Sequence, residues 1–251
     1  MNNNLQAISQ SRVWRIGITG GIGSGKSYIC RQLEQAGHAV FYCDTEAKRI
    51  IRNHPQVRAA LTELVGPGVY DAHGQLVKAQ LAAYLCRGKE FSAQVDAIVH
   101  PRVAEAFNQR VVQMEQQFVN NSVSLFEQSE AVAPQDSVSG CTLPIELLYA
   151  SNRSVTGSAE QGNSCPPELS VEQIASLPVG RVLFMECALL FESGFDSLVD
   201  GSVLVHVSAQ IQLQRLMARD GITRQQAQAW IDLQLSEAAK LQRANFVIHN
   251  E

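Results

Sequence analysis

The chain has 251 residues, of which 45% are hydrophobic and 18% charged, values that are typical of a globular protein and exclude a disordered or fibrous one. Its net charge of −4 gives no general reason to expect nucleic-acid or membrane binding. The polar segment 1–13 lacks the features of a signal peptide, and no apolar run is long enough to span a membrane. We therefore expect a flexible tail at 1–13 and a cytoplasmic protein whose six cysteines are reduced.

The segment from Gly20 to Ser27, GGIGSGKS, fits the phosphate-binding pattern G-x-x-x-x-G-K-[ST]. Residues 14–19 favour a buried strand, and residues 27–36 favour a helix closed by Gly37. In that context consecutive backbone N–H groups and the helix N-terminus bind phosphate oxygens. The alternative is a glycine-rich turn that binds nothing. The residues expected to bind ATP are Gly21, Ile22, Gly23, Ser24, Gly25, Lys26, Ser27 and Tyr28. Among them, Lys26 is expected on the β- and γ-phosphates and the Ser27 hydroxyl on Mg²⁺.

A second strand is expected at 38–43, followed directly by Asp44. From Thr45 to about Val119 apolar residues recur at helical spacing, which predicts a helical block inserted between two strands of the sheet. The dipeptide His100-Pro101 is expected to break one of its helices.

Residues 120–180 contain five of the eight prolines, are rich in Ser, Gln and Asn, and include no Lys. This composition predicts a loosely folded, low-complexity insert. Its hydrophobic segment at 143–149 is interpreted as a self-packed loop, with a docking motif as the alternative.

Regular structure is expected to resume at Arg181, with strands at 182–186, 203–207 and 246–248. Ser208 is predicted to cap the helix that follows it, and Thr223 with Gln226 predicts a capping box. Because strands alternate with helices, the pattern predicts an α/β fold with a mainly parallel sheet.

Ligands bind at the carboxyl ends of the strands in such a sheet. Asp44 and Glu186 each follow or end a predicted strand, as Lys26 and Ser27 follow the first one. We expect Asp44 to accept the proton of an attacking hydroxyl group; the alternative, which is compatible with that role, is a cap for a helix beginning at Thr45. Glu186 is a candidate for the Mg²⁺ shell, with a carboxylate bonded to nearby backbone as the alternative.

Arg215 and Arg219 lie four residues apart on one helical face beside a predicted turn. A mobile lid there would bring guanidinium groups to a transferring phosphate. The alternative is an exposed face paired with acids such as Asp220. His100 either lines the acceptor site or is structural.

These residues together resemble the dephospho-CoA kinase family. The resemblance covers about 14–110 and 181–250 and is carried by the segments around the phosphate loop, Asp44, His100-Pro101, 188–194, 215–220 and 246–248. It implies a three-layer P-loop kinase core at 14–44 and 181–251 with a lid at about 214–232, and a helical CoA-binding domain at 45–119. It also implies Asp44 as catalytic base, and ATP, Mg²⁺ and dephospho-CoA as ligands, with phosphate transferred to the ribose 3′-hydroxyl group.

The sequence departs from the family pattern at Tyr28, where Thr is usual, in the length of the 120–180 insert, and after the last strand, where a terminal helix is expected but the sequence stops at Glu251. Two alternatives therefore stay open: a P-loop kinase for another nucleoside or nucleotide, and a nucleotide-binding protein with impaired catalysis. Oligomeric state and kinetic constants do not follow from the sequence.

Overall fold

The computed structural model of the protein describes residues 12–128 and 165–251. Residues 1–11 of the expected tail and residues 129–164 of the expected insert, including the hydrophobic segment 143–149, lie outside the described residues. None of the five cysteines in the described ranges forms a disulfide bond. No helix in these two ranges is both long enough and apolar enough to cross a membrane.

A five-stranded sheet with the order β2-β3-β1-β4-β5 forms the centre of the fold. The central strand β1 pairs in parallel with β3 and β4, and β4 pairs in parallel with β5. Strand neighbours that are not consecutive in sequence require crossover connections, so the predicted α/β class is confirmed. The strand bounds are β1 Trp14–Thr19, β2 Ala39–Tyr42, β3 Val182–Glu186, β4 Gly201–His206 and β5 Phe246–His249.

Nine α-helices occur in the described ranges, and two short 3-10 helices lie at Pro67–Val69 and Phe195–Leu198. The predicted capping box of Thr223 and Gln226 is confirmed at the start of the helix Arg224–Ile231. Ser208 does precede the helix Ala209–Asp220, but its side chain makes no cap hydrogen bond; its backbone N–H donates to Glu251 Oε1 at 3.0 Å. The helix bounds are α1 Lys26–Gln35, α2 Cys43–Asn53, α3 Pro55–Val65, α4 Lys78–Leu85, α5 Lys89–Gln128, α6 Val171–Ala175, α7 Ala209–Asp220, α8 Arg224–Ile231 and α9 Glu237–Arg243.

The expected helix break at His100-Pro101 is wrong, because the 40-residue helix α5 continues through Pro101. Proline removes one N–H donor from the helix, a local cost that packing can outweigh. Val99, Val103 and Phe107, which flank Pro101 at helical spacing, are all buried. The apolar face of this helix is therefore continuous across the proline.

The expectation of a loose segment up to residue 180 is also wrong for its described parts. Residues 120–128 end α5, and α6 begins at a capping box formed by Ser170 and Gln173. The Leu169 N–H donates to the Val247 carbonyl at 2.8 Å, and the Val247 N–H donates to the Pro167 carbonyl at 3.1 Å. These bonds continue the sheet beyond β5, which a local composition signal does not reveal.

The chain divides into two compact units. Among the described residues, one unit contains 12–41, 111–128 and 165–251, and includes the phosphate loop and almost all of the sheet. The other, Tyr42–Arg110, is helical, with buried Ile50 and Leu61 on its first two helices. The finer assignment of 45–119 to a CoA-binding domain stays a prediction.

Asp200, which directly precedes β4, forms hydrogen bonds that connect the beginning of β4 to β1. Its Oδ2 accepts from the Arg15 backbone N–H at 2.9 Å, and its Oδ1 accepts from Arg15 Nη2 at 2.6 Å and from Arg12 Nη2 at 2.7 Å. Burial opposes ionisation of the carboxyl group, but these hydrogen bonds and the two guanidinium charges outweigh it and hold the pKa of Asp200 below its usual value.

We expect Asp200→Asn to destabilise the protein by about 1–3 kcal/mol at pH 7, because charge-assisted hydrogen bonds to a mostly buried carboxylate are lost. A depressed carboxyl pKa contributes stability that is present above the unfolded-state pKa and disappears as the pH falls through the folded-state value. Urea unfolding of the wild type and the variant should therefore give midpoints that converge as the pH is lowered from 7 towards 3. A pH-independent difference would contradict the ionic origin. Asp232→Asn, at an exposed carboxylate, is the control.

Candidate active site

The loop between β1 and α1 is shaped by glycines at positions where a side chain would clash with the chain or strain the backbone. A Cβ on Gly20 would lie 2.4 Å from the Val205 carbonyl oxygen, a backbone atom that cannot move aside alone. Gly25 precedes α1 with a φ of 94°, in the left-handed region that favours glycine. These two positions fix the turn that brings the strand into the helix.

Four backbone N–H groups at the helix end of this loop have no acceptor within the described chain: those of Gly23, Gly25, Lys26 and Ser27. By contrast, the Ser24 N–H donates to the Gly21 carbonyl at 3.1 Å. Unpaired donors at a helix N-terminus, combined with the helix dipole, form an anion-binding site. The loop therefore offers donors suited to phosphate oxygens.

Lys26 is the first residue of α1, and its side chain is 8% exposed. Its ammonium group donates to the Gly20 carbonyl at 2.9 Å and the Gly21 carbonyl at 3.2 Å. Burial lowers the pKa of Lys26, the charge of Glu186 opposes this, and the charge of Lys240 adds to the lowering. An anionic phosphate would compensate the buried charge more fully than two carbonyls do.

Glu186 ends β3 and lies opposite Ile18 of β1 in the parallel register, at the edge of the sheet where the loop begins. Its charge also acts on Cys30, whose thiol pKa is raised to about 12, chiefly by burial. Ser27 is exposed. Carboxylate and hydroxyl oxygens are the ligands that Mg²⁺ prefers. In the described ranges no three His, Cys, Asp or Glu side chains form a group that could hold a metal ion.

Asp44 belongs to the helical unit, where it lies in the first turn of α2. The interpretation of Asp44 as an N-cap is wrong, since α2 begins at Cys43 and the N-cap is Tyr42. Its side chain is 72% exposed and forms an ion pair with Lys48 one turn later. An exposed pair of this kind is weak, so the carboxylate is easily available to another partner.

Arg215 and Arg219, the two arginines expected on a lid, differ in their surroundings. Arg215 is half-buried, and its Nη1 lies 3.4 Å from the Ser24 carbonyl oxygen of the phosphate loop. Arg219 is exposed and paired with Asp220 through bonds of 3.0 and 2.7 Å, which raise its pKa. Arg215 thus lies beside the phosphate loop. Arg219 instead lies on an exposed helix face and is paired with Asp220, as the alternative interpretation expects.

His100 lies in the helical unit on α5, with its Nε2 3.5 Å from Asp96 Oδ1. Tyr28, where the family pattern usually has Thr, carries a ring that is 52% exposed, so its bulk does not disturb the core.

Several residues near the loop have no signal in the sequence. Gln212, Gln234 and Asn250 each form a hydrogen bond with a backbone group of the loop, at 2.7, 2.8 and 2.8 Å. Lys240 is 2% exposed and acts electrostatically on Lys26. A single glutamine, asparagine or lysine far along the chain matches no motif, so only the fold could have revealed these contacts.

Comparison with known proteins shows the family to which the chain is similar. The dephospho-CoA kinase family model matches residues 14–146 and 168–251, so that only 147–167 are unmatched between the two ranges, far fewer than the roughly sixty expected for the insert. A dephospho-CoA kinase from Bacteroides fragilis is 30% identical over 237 residues, covering 94% of this chain and 84% of the relative. One from Geobacillus kaustophilus is 28% identical over 235 residues, covering 94% and 87%.

A crystal structure from Thermus thermophilus superposes with a TM-score of 0.58 at 24% identity, covering 96% of this chain and 90% of that one. At that identity the likeness concerns the fold alone, and it agrees with the sheet described above. The family match is independent of it and spans most of the sequence, the phosphate loop included. The chain therefore belongs to the dephospho-CoA kinase family.

Proposed function

We propose that the protein transfers the γ-phosphoryl group of ATP to the ribose 3′-hydroxyl group of dephospho-CoA, giving ADP and coenzyme A. Family membership supports the reaction. The observation that carries the proposal for the site is the set of four unpaired N–H groups around the buried Lys26. A cytoplasmic location is part of the proposal.

In this mechanism the loop from Gly21 to Tyr28 encloses the triphosphate of ATP, and the unpaired N–H groups of Gly23, Gly25, Lys26 and Ser27 donate to its oxygens. Lys26 leaves the two carbonyls that it now contacts and binds β- and γ-phosphate oxygens. Ser27 and Glu186 supply oxygen ligands for Mg²⁺, Glu186 either directly or through water. When bound, Mg²⁺ neutralises charge on the phosphates.

Asp44 accepts the proton of the 3′-hydroxyl group while the oxygen of that hydroxyl group forms a bond to the γ-phosphorus. The bond from that phosphorus to the β–γ bridging oxygen breaks, and ADP leaves. Arg215 and Arg219 stabilise the transferring group, for which Arg219 must exchange Asp220 for phosphate. His100 contributes to the acceptor site. Most of the rate acceleration then comes from alignment and charge neutralisation.

The test is an acceptor assay with the full chain, ATP and Mg²⁺. Phosphate transfer to dephospho-CoA is expected, whereas dephospho-CoA lacking its 3′-hydroxyl group should accept none. Adenosine and AMP are the competing acceptors. Faster transfer to either of them would favour a nucleoside or nucleotide kinase. ATP binding without transfer to any acceptor would favour a nucleotide-binding protein with impaired catalysis.

A further inference from the structure

Ile22, the third residue of the phosphate loop, has both of its backbone polar groups bound by glutamine side chains. The Gln212 Nε2 donates to the Ile22 carbonyl oxygen at 2.7 Å. The Ile22 N–H donates to Gln234 Oε1 at 2.8 Å. Gln212 lies on α7, and Gln234 lies between α8 and α9, so two distant parts of the chain converge on one residue.

The chemistry of the partners fixes the orientation of both amides. A backbone carbonyl can only accept and a backbone N–H can only donate, so Gln212 must present its NH₂ group and Gln234 its oxygen. Gln212 is 9% exposed, and a Cβ on Gly21 would lie 2.4 Å from its Nε2. The amide of Gln212 is therefore packed directly against the loop.

The Ile22 side chain extends the same connection. It packs against a cluster formed by Leu213 and Leu216 of α7 and Ala227 of α8, with Ile222 and Ile231 at its edge. The helix α7 also carries Arg215 and Arg219. A displacement of Ile22 would thus move both the loop that holds phosphate and the helix that carries the arginines.

We propose that Gln212 and Gln234 are positioning residues that hold the phosphate loop in one fixed arrangement with α7 and with the connection between α8 and α9. Neither side chain needs to touch ATP; each acts through Ile22. The proposal rests on the proposed function only in that the loop binds the triphosphate of ATP. It assigns a role in the reaction to two glutamines that lie outside the phosphate-binding motif.

The opposite polarity of the two bonds allows a matched test. Gln234→Glu keeps an oxygen acceptor for the Ile22 N–H, whereas Gln212→Glu loses the donor and places oxygen against the Ile22 carbonyl. Both changes have the same size and the same added charge beside the same residue. We expect Gln234→Glu to bind a non-hydrolysable ATP analogue at least about tenfold more tightly than Gln212→Glu, because only the second leaves a buried carbonyl unpaired.

Gln212→Met and Gln234→Met remove the polar atoms without adding charge, and both should weaken analogue binding and raise KM for ATP by about tenfold. Gln234→Glu should then bind the analogue more tightly than Gln234→Met, whereas Gln212→Glu should bind it no more tightly than Gln212→Met. A role confined to overall folding would lower the melting temperature of these variants without this order of affinities. Equal effects of glutamate at both positions, or wild-type affinity in both methionine variants, would overturn the proposal.

If Gln212→Glu fails to fold, the comparison of Gln234→Glu with Gln234→Met tests the proposal alone: equal analogue affinities of these two variants would overturn it. Analogue binding by calorimetry needs no acceptor substrate, so it tests the glutamines even if dephospho-CoA is not phosphorylated. Absence of analogue binding by the wild type would instead refute the phosphate-loop assignment and, with it, this inference.

Discussion

Asp44→Asn is expected to lower kcat by about 10²-fold or more, because an amide of the same shape cannot accept the proton of the attacking hydroxyl group. The ATP-binding loop is untouched by the change, so the affinity for ATP should stay close to that of the wild type. The exposed ion pair with Lys48 is lost, which costs about 0.5 kcal/mol of stability or less. The predicted signature is therefore a loss of turnover without a loss of nucleotide binding or folding.

Glu46→Gln is the matched control. Glu46 lies in the same first turn of α2 and is paired with Arg49 at 2.9 Å, so the change removes one carboxylate charge from the same helix end. Steady-state kinetics with saturating ATP and dephospho-CoA should show a large fall in kcat for Asp44→Asn and a small one for Glu46→Gln. Similar rates for the two variants would remove Asp44 from the mechanism and leave only a general electrostatic effect.

The parts of the fold that the sequence predicts are those specified by neighbouring residues. β1 was expected at 14–19 and lies at Trp14–Thr19, because a buried parallel strand is a short apolar run. The phosphate-loop pattern fits its place between that strand and α1. The capping box at Thr223 was predictable for the same reason, since it depends on two residues three positions apart.

Features that depend on packing could not be predicted from local patterns. Pro101 reads as a helix break, and only the burial of the side chains around it keeps α5 continuous. Residues 165–180 read as loose because the 120–180 stretch is rich in Pro, Ser, Gln and Asn, yet Leu169, Ile174 and Leu177 are buried. In each case tertiary contacts outweigh local propensity.

The candidate site divides in the same way. The loop, with Lys26 and Ser27, could be proposed because phosphate recognition needs contiguous backbone N–H groups, and contiguity is visible in sequence. The side chains that hydrogen-bond to the loop backbone could not be predicted, because Gln212, Gln234 and Asn250 lie about 190 to 226 residues away from the loop in sequence. A hydrogen bond across that separation depends on the sheet order, which places β4 beside β1 and β5 beside β4.

Lys26→Met is expected to reduce kcat/KM by about 10²–10³-fold, since one preorganised charge facing the transferring phosphoryl group is lost. Methionine approximates the length of the lysine stem, so the loop retains its packing. The buried ammonium has a lowered pKa, which means that folding disfavours its charged form. Removing that charge offsets the loss of two hydrogen bonds to the loop carbonyls, and the ligand-free variant should melt within about 4 °C of the wild type.

Thermal unfolding with and without ATP and Mg²⁺ separates these effects. A ligand that binds only the folded state raises the melting temperature in proportion to the logarithm of its concentration over Kd. The wild type should show this ligand-induced increase in melting temperature. Lys26→Met should lose most of the increase, although its melting temperature without ligand stays close to that of the wild type. Lys89→Met, at an exposed lysine on α5, should keep the full rise. If Lys26→Met retained both the rise and the rate, phosphate would have to be held elsewhere in the chain, because the ammonium of Lys26 is the cation built into the loop.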